Sequence, residues 1–142
     1  MKCVFVAGPY NSSDVIRVLG NMRRGMETCY RLIKYGMAPF CPWLDYHYAL
    51  IGEMSVEEYR AYSIAWLRKA DAVLLVEGWQ NSPGTTKEID IAVAMGIPVF
   101  TKEGELIEWA ERQRKAVSTS SSTSTAENAT AKLSRKLVEA IS

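Results

Sequence analysis

The sequence has no long apolar run and no excess of charge of either sign. Its net charge at pH 7 is +1, which argues against nucleic-acid wrapping and against a polybasic membrane anchor. No apolar run approaches the roughly 20 residues that a membrane-spanning helix needs. The first residues run straight into a strand-like segment and lack the cleavage pattern of a signal peptide. We therefore expect a cytoplasmic protein whose partners include neither a nucleic acid polymer nor a membrane.

Cysteine and histidine are also scarce. The three cysteines, Cys3, Cys29 and Cys41, are odd in number, widely spaced and set in apolar segments. That pattern is typical of buried free thiols in a reducing compartment. His47 is the only histidine, and no group of residues has the spacing of metal ligands. We expect neither a metal site nor an organic cofactor.

Strand-like and helix-like segments alternate over residues 1–116, which we expect to form one α/β domain. The strand-like runs are short and apolar and lie at residues 3–7, 38–41, 72–76 and 97–100. This rhythm predicts a doubly wound, mostly parallel sheet of four to five strands flanked by helices. The expected strand order is the flavodoxin/Rossmann-like 2-1-3-4. Pro39 suggests that strand two lies at an edge of the sheet, because proline cannot donate to a neighbouring strand.

The first helical segment follows Asp14 and has one apolar face. The apolar positions recur at helical spacing and are Val15, Leu19, Met22, Met26, Cys29 and Ile33. On the opposite side lie Arg17, Arg24 and Arg31. We interpret these heptad-spaced arginines as a solvated face and not as a nucleic-acid patch.

The region before strand three is less regular. Segment 43–48 is rich in aromatic residues without a clear period, and its local structure is left open. Ser55 and Glu58 have the spacing of a capping box, which predicts the start of a helix that runs to about Arg68. Asp71 precedes strand three and lies about 17 Å from the carboxyl end of that strand, so we interpret it as structural.

The composition changes at residue 117. Every residue of 118–125 is Ser or Thr, which predicts a flexible linker over 117–126. Leu133, Leu137 and Ile141 then predict a short amphipathic helix within 127–142. That helix is free to dock on its own domain or on a neighbouring subunit.

The segment 81–88, Asn-Ser-Pro-Gly-Thr-Thr-Lys-Glu, is the most informative part of the chain. It joins strand three to a helix, and it meets the loop of residues 8–11 if the sheet order reverses between strands one and three. It delivers Glu88 into the first turn of that helix, where a carboxylate can act as a nucleophile. Thr85-x-x-Glu88 also has the spacing of a capping box, so a structural role for Glu88 stays open.

Three motifs of the chain resemble the nucleoside 2-deoxyribosyltransferase superfamily, which includes deoxynucleoside 5′-monophosphate N-glycosidases. The motifs are Val-Ala-Gly-Pro-Tyr at 6–10, Trp-Leu-Arg-Lys-Ala-Asp-Ala-Val-Leu-Leu at 66–75, and Gly-Thr-Thr-Lys-Glu-Ile at 84–89 followed by Ala92 and by Gly-Ile-Pro-Val at 96–99. The resemblance covers roughly residues 2–101. It implies that Glu88 attacks the anomeric carbon of the sugar and forms a glycosyl-enzyme, which water or a second base then resolves.

The residue six positions before Glu88 bears on the choice of substrate. In the superfamily, members that use nucleosides carry an acidic residue there, and members that use nucleotides carry a small hydroxyl residue. This chain has Ser82, which donates a hydrogen bond to a phosphate without repelling it. The resemblance therefore favours a nucleoside 5′-monophosphate, although Ser82-Pro83-Gly84 also has the composition of a simple turn.

Further substrate-binding candidates lie in both loops. Gly8 permits a close approach of the backbone to a sugar, and Tyr10 can stack or hydrogen-bond there. The remaining candidates are Pro9, Asn11, Trp79, Gly84 and Thr85. Stacking on a nucleobase is open to Trp79 and also to Trp43, Tyr46 and Tyr48, which otherwise only cover the sheet. His47 is more easily interpreted as a loop histidine than as a general acid.

The chain departs from the superfamily at one position. Eight residues before Asp71 the superfamily usually carries an aspartate that helps to position the sugar, and this chain has Ser63. The simplest interpretation of Ser63 is a solvent-facing helix position, but we include it among the candidate site residues. Asp45 and Glu77 are the acids that could replace the missing carboxylate.

The expected activity is cleavage of the base–sugar bond of a nucleoside 5′-monophosphate. Base exchange by deoxyribosyl transfer uses the same nucleophile, and a nucleotide-binding sensor without turnover would explain Ser63. The resemblance also implies a homo-oligomer, a dimer or a tetramer, that binds a small nucleoside or nucleotide.

Overall fold

In a computed structural model, the chain is described over residues 1–119 and at residue 140. Within this part of the chain, four strands form one parallel sheet in the order β2-β1-β3-β4. The strands are β1 Cys3–Ala7, β2 Ala38–Phe40, β3 Ala72–Leu75 and β4 Val99–Phe100. The predicted α/β fold, its strand order and the edge position of the strand that contains Pro39 are confirmed.

Helices connect the strands. They are α1 Val15–Lys34, α2 Val56–Leu67, α3 Pro83–Ala94 and α4 Glu103–Thr119. Two 3₁₀ helices occupy the remaining connections, Pro42–Leu50 after β2 and Trp79–Asn81 after β3. The aromatic segment without a clear period is thus the first 3₁₀ helix, whose period of three residues differs from that of an α-helix and of a strand.

Both faces of the sheet are covered, as a doubly wound fold requires. One face carries the side chains of Phe5, Ala7, Val73 and Leu75, which form a buried cluster with Leu67 of α2 and Ala92 of α3. Side chains alternate along a strand, so Val4, Val6 and Leu74 point to the other face, and they are also fully buried. α1 contacts β1 and β2.

The apolar side of α1 is not its buried side. The buried residues of this helix are Asn21, Gly25, Thr28, Cys29 and Leu32. Of the six apolar positions at helical spacing, only Cys29 is buried, and Leu19, Met26 and Ile33 are 56%, 42% and 57% exposed. The helix packs through small and polar residues because the ring of Trp43, itself fully buried, lies directly against Gly25.

The chain groups into two compact units, Met1–Ile107 and Glu108–Ser142, and the sheet lies in the first. α4 extends through Thr119, so the first residues of the predicted linker 117–126 are helical. The rest of that linker and, apart from Ala140, the predicted helix within 127–142 lie outside the described residues. Within the described part of the chain, no helix is both long enough and apolar enough to span a membrane.

Two glycines of α1 test the packing of Trp43. A methyl group at Gly25 would overlap the indole ring of Trp43, whereas one at Gly20 would meet no atom within 4 Å. We expect Gly25→Ala to destabilise the protein by about 1–3 kcal/mol through overpacking. Gly20→Ala should stabilise it by roughly 0.5–1 kcal/mol, because alanine favours the helix. Urea unfolding of the two variants measures both changes in the free energy of unfolding. Equal changes at the two sites would contradict the packing of Trp43 against Gly25.

Candidate functional site

A cavity opens at the carboxyl end of the sheet, beside the point where the strand order reverses. Its walls come from the end of β1, the 3₁₀ helix Pro42–Leu50, α2 and the first turns of α3. The lining includes seven of the candidate residues named from the sequence: Gly8, Tyr10, Ser63, Ser82, Gly84, Thr85 and Glu88. Two loops far apart in the chain thus share one crevice, as the strand order predicts.

The floor of the cavity depends on a close approach between β1 and β3. The amide of Val76 donates to the carbonyl of Ala7 over 2.8 Å, which continues the strand pairing to the edge of the sheet. A Cβ atom at Gly8 would lie 2.9 Å from Cβ of Val76 and 3.3 Å from the ring of Trp43. Glycine is therefore required at residue 8 by packing, whether or not a sugar approaches its backbone.

Glu88 lies in the second turn of α3, not in the first turn as its spacing from Thr85 suggests. The helix begins at Pro83, and the side chain of Ser82 caps it by accepting a hydrogen bond from the amide of Thr85. Thr85 lies inside the helix and is 2% exposed, so it cannot be the capping residue of a box that includes Glu88. The structural interpretation of Glu88 as a cap is wrong, and its half-buried side chain lines the cavity.

Burial changes the acidity of Glu88. Loss of contact with water raises the pKa of its carboxyl to about 7, and the positive charge of Arg60 opposes that rise. At neutral pH the group is thus present both as the carboxylate and as the acid. Such a carboxyl in a cleft is a frequent feature of catalytic sites.

A second carboxyl lines the same cavity. Asp45 lies on the 3₁₀ helix Pro42–Leu50, and burial raises its pKa to about 6. Two acids were named as replacements for the aspartate that the chain lacks at residue 63. Of these two, Asp45 lines the cavity. Glu77 is exposed and lines a different groove, together with Arg24 and Glu103.

α2 presents a row of side chains to the cavity. The row recurs at helical spacing and consists of Val56, Tyr59, Arg60, Ser63 and Ile64. Ser63 is 9% exposed, so its interpretation as a solvent-facing position is wrong. From the sequence only Ser63 was singled out in this helix, although the capping box at Ser55 and the spacing from Val56 onward could have indicated the whole face.

In its contacts with Thr85, the hydroxyl of Ser82 acts as an acceptor, and among the described residues its hydrogen is not used in them. Its oxygen accepts hydrogen bonds from the amide of Thr85 at 3.3 Å and from the hydroxyl of Thr85 at 2.9 Å. A hydroxyl has two acceptor positions and one hydrogen, so these contacts leave the Ser82 hydrogen for another group. Lys87 lines the cavity beside it and adds a positive charge.

Tyrosines form one wall of the cavity. The rings of Tyr10 and Tyr46 lie 4.3 Å apart, and the ring of Tyr59 is 6.5 Å from that of Tyr46. Among the described residues, the Tyr10 hydroxyl is buried without a hydrogen-bond partner. Trp43 also reaches the lining, but it is fully buried and its indole N–H donates to the carbonyl of Pro9.

Several other candidates lie outside the lining of the cavity. Pro9 packs against Gly78, and Asn11 is exposed. Trp79 packs against the hydrophobic cluster beneath the sheet. The remaining two aromatic candidates point elsewhere: Tyr48 contacts Tyr62, and His47 is exposed with Nδ1 2.8 Å from the carbonyl of Leu44.

Asp71 has the structural position expected for it. Its carboxylate accepts a hydrogen bond from the amide of Cys3 at 2.8 Å, and its own amide donates to the carbonyl of Cys3. These bonds join the amino ends of β1 and β3, at the edge opposite the cavity. Within the described residues, no group of three or more His, Cys, Asp or Glu side chains is arranged to hold a metal ion.

Comparison with protein families places part of the chain in a described family model. A family model described as a domain of unknown function, DUF4406, matches residues 46–101. The matched stretch contains α2, β3, α3 and β4, and with them Ser63, Ser82 and Glu88. A search of curated proteins finds no match.

The raised pKa of Glu88 predicts that removing its carboxyl stabilises the folded protein, by an amount that depends on pH. Its pKa is about 7 in the folded protein and about 4.5 for an ordinary glutamate. The unfolded chain therefore ionises first, and between these values the folded state loses stability as the pH rises. We expect Glu88→Gln to raise the melting temperature at pH 8 and to have little effect at pH 4. Asp90→Asn, an exposed neighbour on α3, is the control, and an equal gain from Glu88→Gln at both pH values would contradict the assignment.

Proposed function

We propose that the protein cleaves the N-glycosidic bond of a nucleoside 5′-monophosphate through a covalent glycosyl-Glu88 intermediate. The observation that carries the proposal is a half-buried glutamate with a raised pKa, placed in a cavity at the carboxyl end of a doubly wound sheet. Open α/β sheets bind their ligands at that edge. The resemblance to the nucleoside 2-deoxyribosyltransferase superfamily assigns the same residue as the nucleophile.

In the first step the Glu88 carboxylate attacks the anomeric carbon of the sugar. A bond forms between a carboxylate oxygen and that carbon, and the bond between the carbon and the base nitrogen breaks. The base departs with the electron pair and accepts a proton. In the second step water adds to the anomeric carbon and gives up a proton, and Glu88 is released as the carboxylate, so the configuration of the sugar is retained.

Asp45 is the group that we assign to the proton transfers. The acid form gives its proton to the departing base, and the resulting carboxylate takes a proton from the attacking water. A pKa of about 6 makes both forms available near neutral pH. Asp45 thereby compensates for Ser63, which offers no carboxylate.

Four features of the cavity support a 5′-phosphate on the substrate. They are the hydroxyl hydrogen of Ser82, the backbone amide of Gly84 in the first turn of α3, and the cationic side chains of Arg60 and Lys87. A helix N-terminus attracts anions through such an amide and through the helix dipole. A nucleoside without the phosphate would leave the two cations without a counter-charge from the substrate.

The unpartnered hydroxyl of Tyr10 also supports a polar ligand in the cavity. A buried hydroxyl without a hydrogen bond costs free energy that a ligand group can recover. With Tyr46 and Tyr59 it lies in an aromatic wall of the kind on which a nucleobase stacks.

A binding role without turnover is the second candidate, and Ser63 favours it because an uncharged side chain there binds a sugar without activating it. Base exchange to an acceptor would use the same Glu88 chemistry. We also propose that the protein acts as a homo-oligomer, as the resemblance implies.

The direct test is release of free base from a panel of ribo- and deoxyribonucleosides and their 5′-monophosphates, followed by chromatography. We expect wild type to release base from monophosphates, and Glu88→Ala to lose at least about 1000-fold of the rate, because the nucleophile is gone. Glu77→Gln, which changes an exposed carboxyl outside the cavity, should retain the wild-type rate.

Other outcomes of this assay change the assignment. Release that requires an added acceptor base indicates a transferase. Binding of a monophosphate without release, equally tight in wild type and Glu88→Gln, indicates the sensor and overturns the catalytic role of Glu88.

Ser82→Asp tests the phosphate subsite without removing the helix cap, because aspartate and serine cap helices about equally well. We expect kcat/KM for monophosphates to fall at least about tenfold through charge repulsion, while the value for nucleosides is unchanged or higher. Ser82→Ala is the matched variant that removes the hydroxyl without adding charge. A uniform loss on nucleosides and monophosphates after Ser82→Asp would place the phosphate elsewhere.

A further inference from the structure

The loop of residues 8–11, which follows β1, is held by side chains from two other elements. The indole N–H of Trp43 donates to the carbonyl of Pro9 at 3.2 Å, and the side-chain amide of Asn21 donates to the carbonyl of Tyr10 at 3.1 Å. Trp43 belongs to the core, whereas Asn21 is a polar residue of α1 that is only 8% exposed. A buried side-chain amide requires hydrogen-bond partners, and the partners of Asn21 indicate its role.

Those partners fix the orientation of the Asn21 amide. Its oxygen Oδ1 accepts a hydrogen bond from the guanidinium of Arg24 at 2.7 Å, while Nδ2 donates to the carbonyl of Tyr10. A guanidinium can only donate and a carbonyl can only accept. Turning the amide over would therefore place two donors together on one side and two acceptors together on the other. Arg24 thereby directs the N–H group of Asn21 toward the loop.

Tyr10 is the residue of this loop whose side chain reaches furthest into the site. It lines the cavity, its ring lies 4.3 Å from the ring of Tyr46, and its hydroxyl is buried without a hydrogen-bond partner among the described residues. The hydrogen bond from Asn21 fixes the backbone from which this side chain projects. A hydroxyl that is already in place binds a ligand without the entropic cost of ordering it.

We propose that Asn21 is a positioning residue of the cavity, which holds Tyr10 so that the tyrosine hydroxyl can bond a polar group of the bound nucleotide. Asn21 does not itself line the cavity, so it acts through the loop. The inference rests on the proposed function for the identity of the ligand, but not for its cleavage. It assigns α1, which packs on the opposite face of the sheet from α2 and α3, a part in the site.

Asn21→Asp removes the contact with the loop and keeps the contact with Arg24. The carboxylate has nearly the shape of the amide and accepts a charge-assisted hydrogen bond from the guanidinium, which offsets the cost of its burial. It has no N–H group, so the carbonyl of Tyr10 would face a second acceptor. Thr28→Val is the matched control. Thr28 is also a buried polar residue of α1, but its hydroxyl bonds within the helix, to the carbonyl of Arg24 and the guanidinium of Arg31.

Calorimetric titration with ribo- and deoxyribonucleoside 5′-monophosphates tests the proposal, in a Glu88→Gln background so that cleavage does not consume the probe. We expect Asn21→Asp and Tyr10→Phe each to raise Kd about fivefold, the effect of roughly one hydrogen bond. The two changes together should raise it no further, because both act through the same hydroxyl. Thr28→Val should leave Kd unchanged. An unchanged Kd in Asn21→Asp, additive losses from Asn21→Asp and Tyr10→Phe, or an equal loss from Thr28→Val overturns the proposal.

Hydrogen exchange of the free protein is a second readout, which needs no ligand. Amides of residues 8–14 should exchange faster in Asn21→Asp, because the loop has lost one of its side-chain anchors, and at the wild-type rate in Thr28→Val. Equal exchange in the two variants overturns the proposal, even if no monophosphate binds. Wild type that releases no base, while Asn21 and Tyr10 still act as one unit in binding, overturns the proposed cleavage alone. The two failures are therefore distinguishable.

Discussion

The pairing of β1 with β3 is the constraint on which the site depends. The two strands run in parallel with Val4 opposite Ala72 and Ala7 opposite Leu75, and the Val76 amide extends the pairing by one more hydrogen bond. Because both strands end at the same level, the loop after β1 and the loop before α3 begin side by side. β2 lies on the far side of β1 and β4 on the far side of β3, so the strands of the described residues leave the space above those two loops open. The cavity is the consequence of this strand order and not of any single motif.

Trp43 holds the elements that present the side chains of the site in place around this pair of strands. Its ring fills the space above Gly25 and beside Gly8, and its N–H fixes the carbonyl of Pro9. One side chain thereby joins α1, the loop after β1 and the 3₁₀ helix that presents Asp45 and Tyr46. The residue belongs to the core, and its contribution to a ligand site is to hold the groups that face the ligand.

The sequence predicted the features of the fold that depend on local pattern. It did not predict the features that depend on how the elements pack. Short apolar runs separated by helical segments suffice to predict the strand order, and Ser55 with Glu58 predicts the start of α2, which is confirmed. α3 begins two residues earlier than its threonines suggest, because Ser82 caps a helix whose first residue is Pro83, a favourable position for proline. The spacing of apolar residues in α1 predicts an apolar face correctly but does not say what covers it. Nor does spacing show that Asp45 and Arg60, on separate elements, line one cavity.

Several groups whose burial costs free energy lie in the cavity. Their clustering is the strongest physical argument that a ligand binds there. A glutamate and an aspartate lose hydration in the same cavity, so their carboxyls resist ionisation at a pH where ordinary ones do not. A tyrosine hydroxyl beside them is buried without a partner among the described residues. Burial of each of these groups costs free energy, because a polar or charged group loses its hydration without a full set of partners in the protein. Asp71, at the opposite end of the strands, shows the contrasting case, because its carboxylate accepts a hydrogen bond from the backbone of β1.

Local rules of folding tend to be broken at functional sites, where binding or chemistry compensates for the loss of stability. The coincidence of two desolvated acids, a serine hydroxyl and two cations in one cavity is the basis on which we propose a phosphorylated sugar derivative as the substrate.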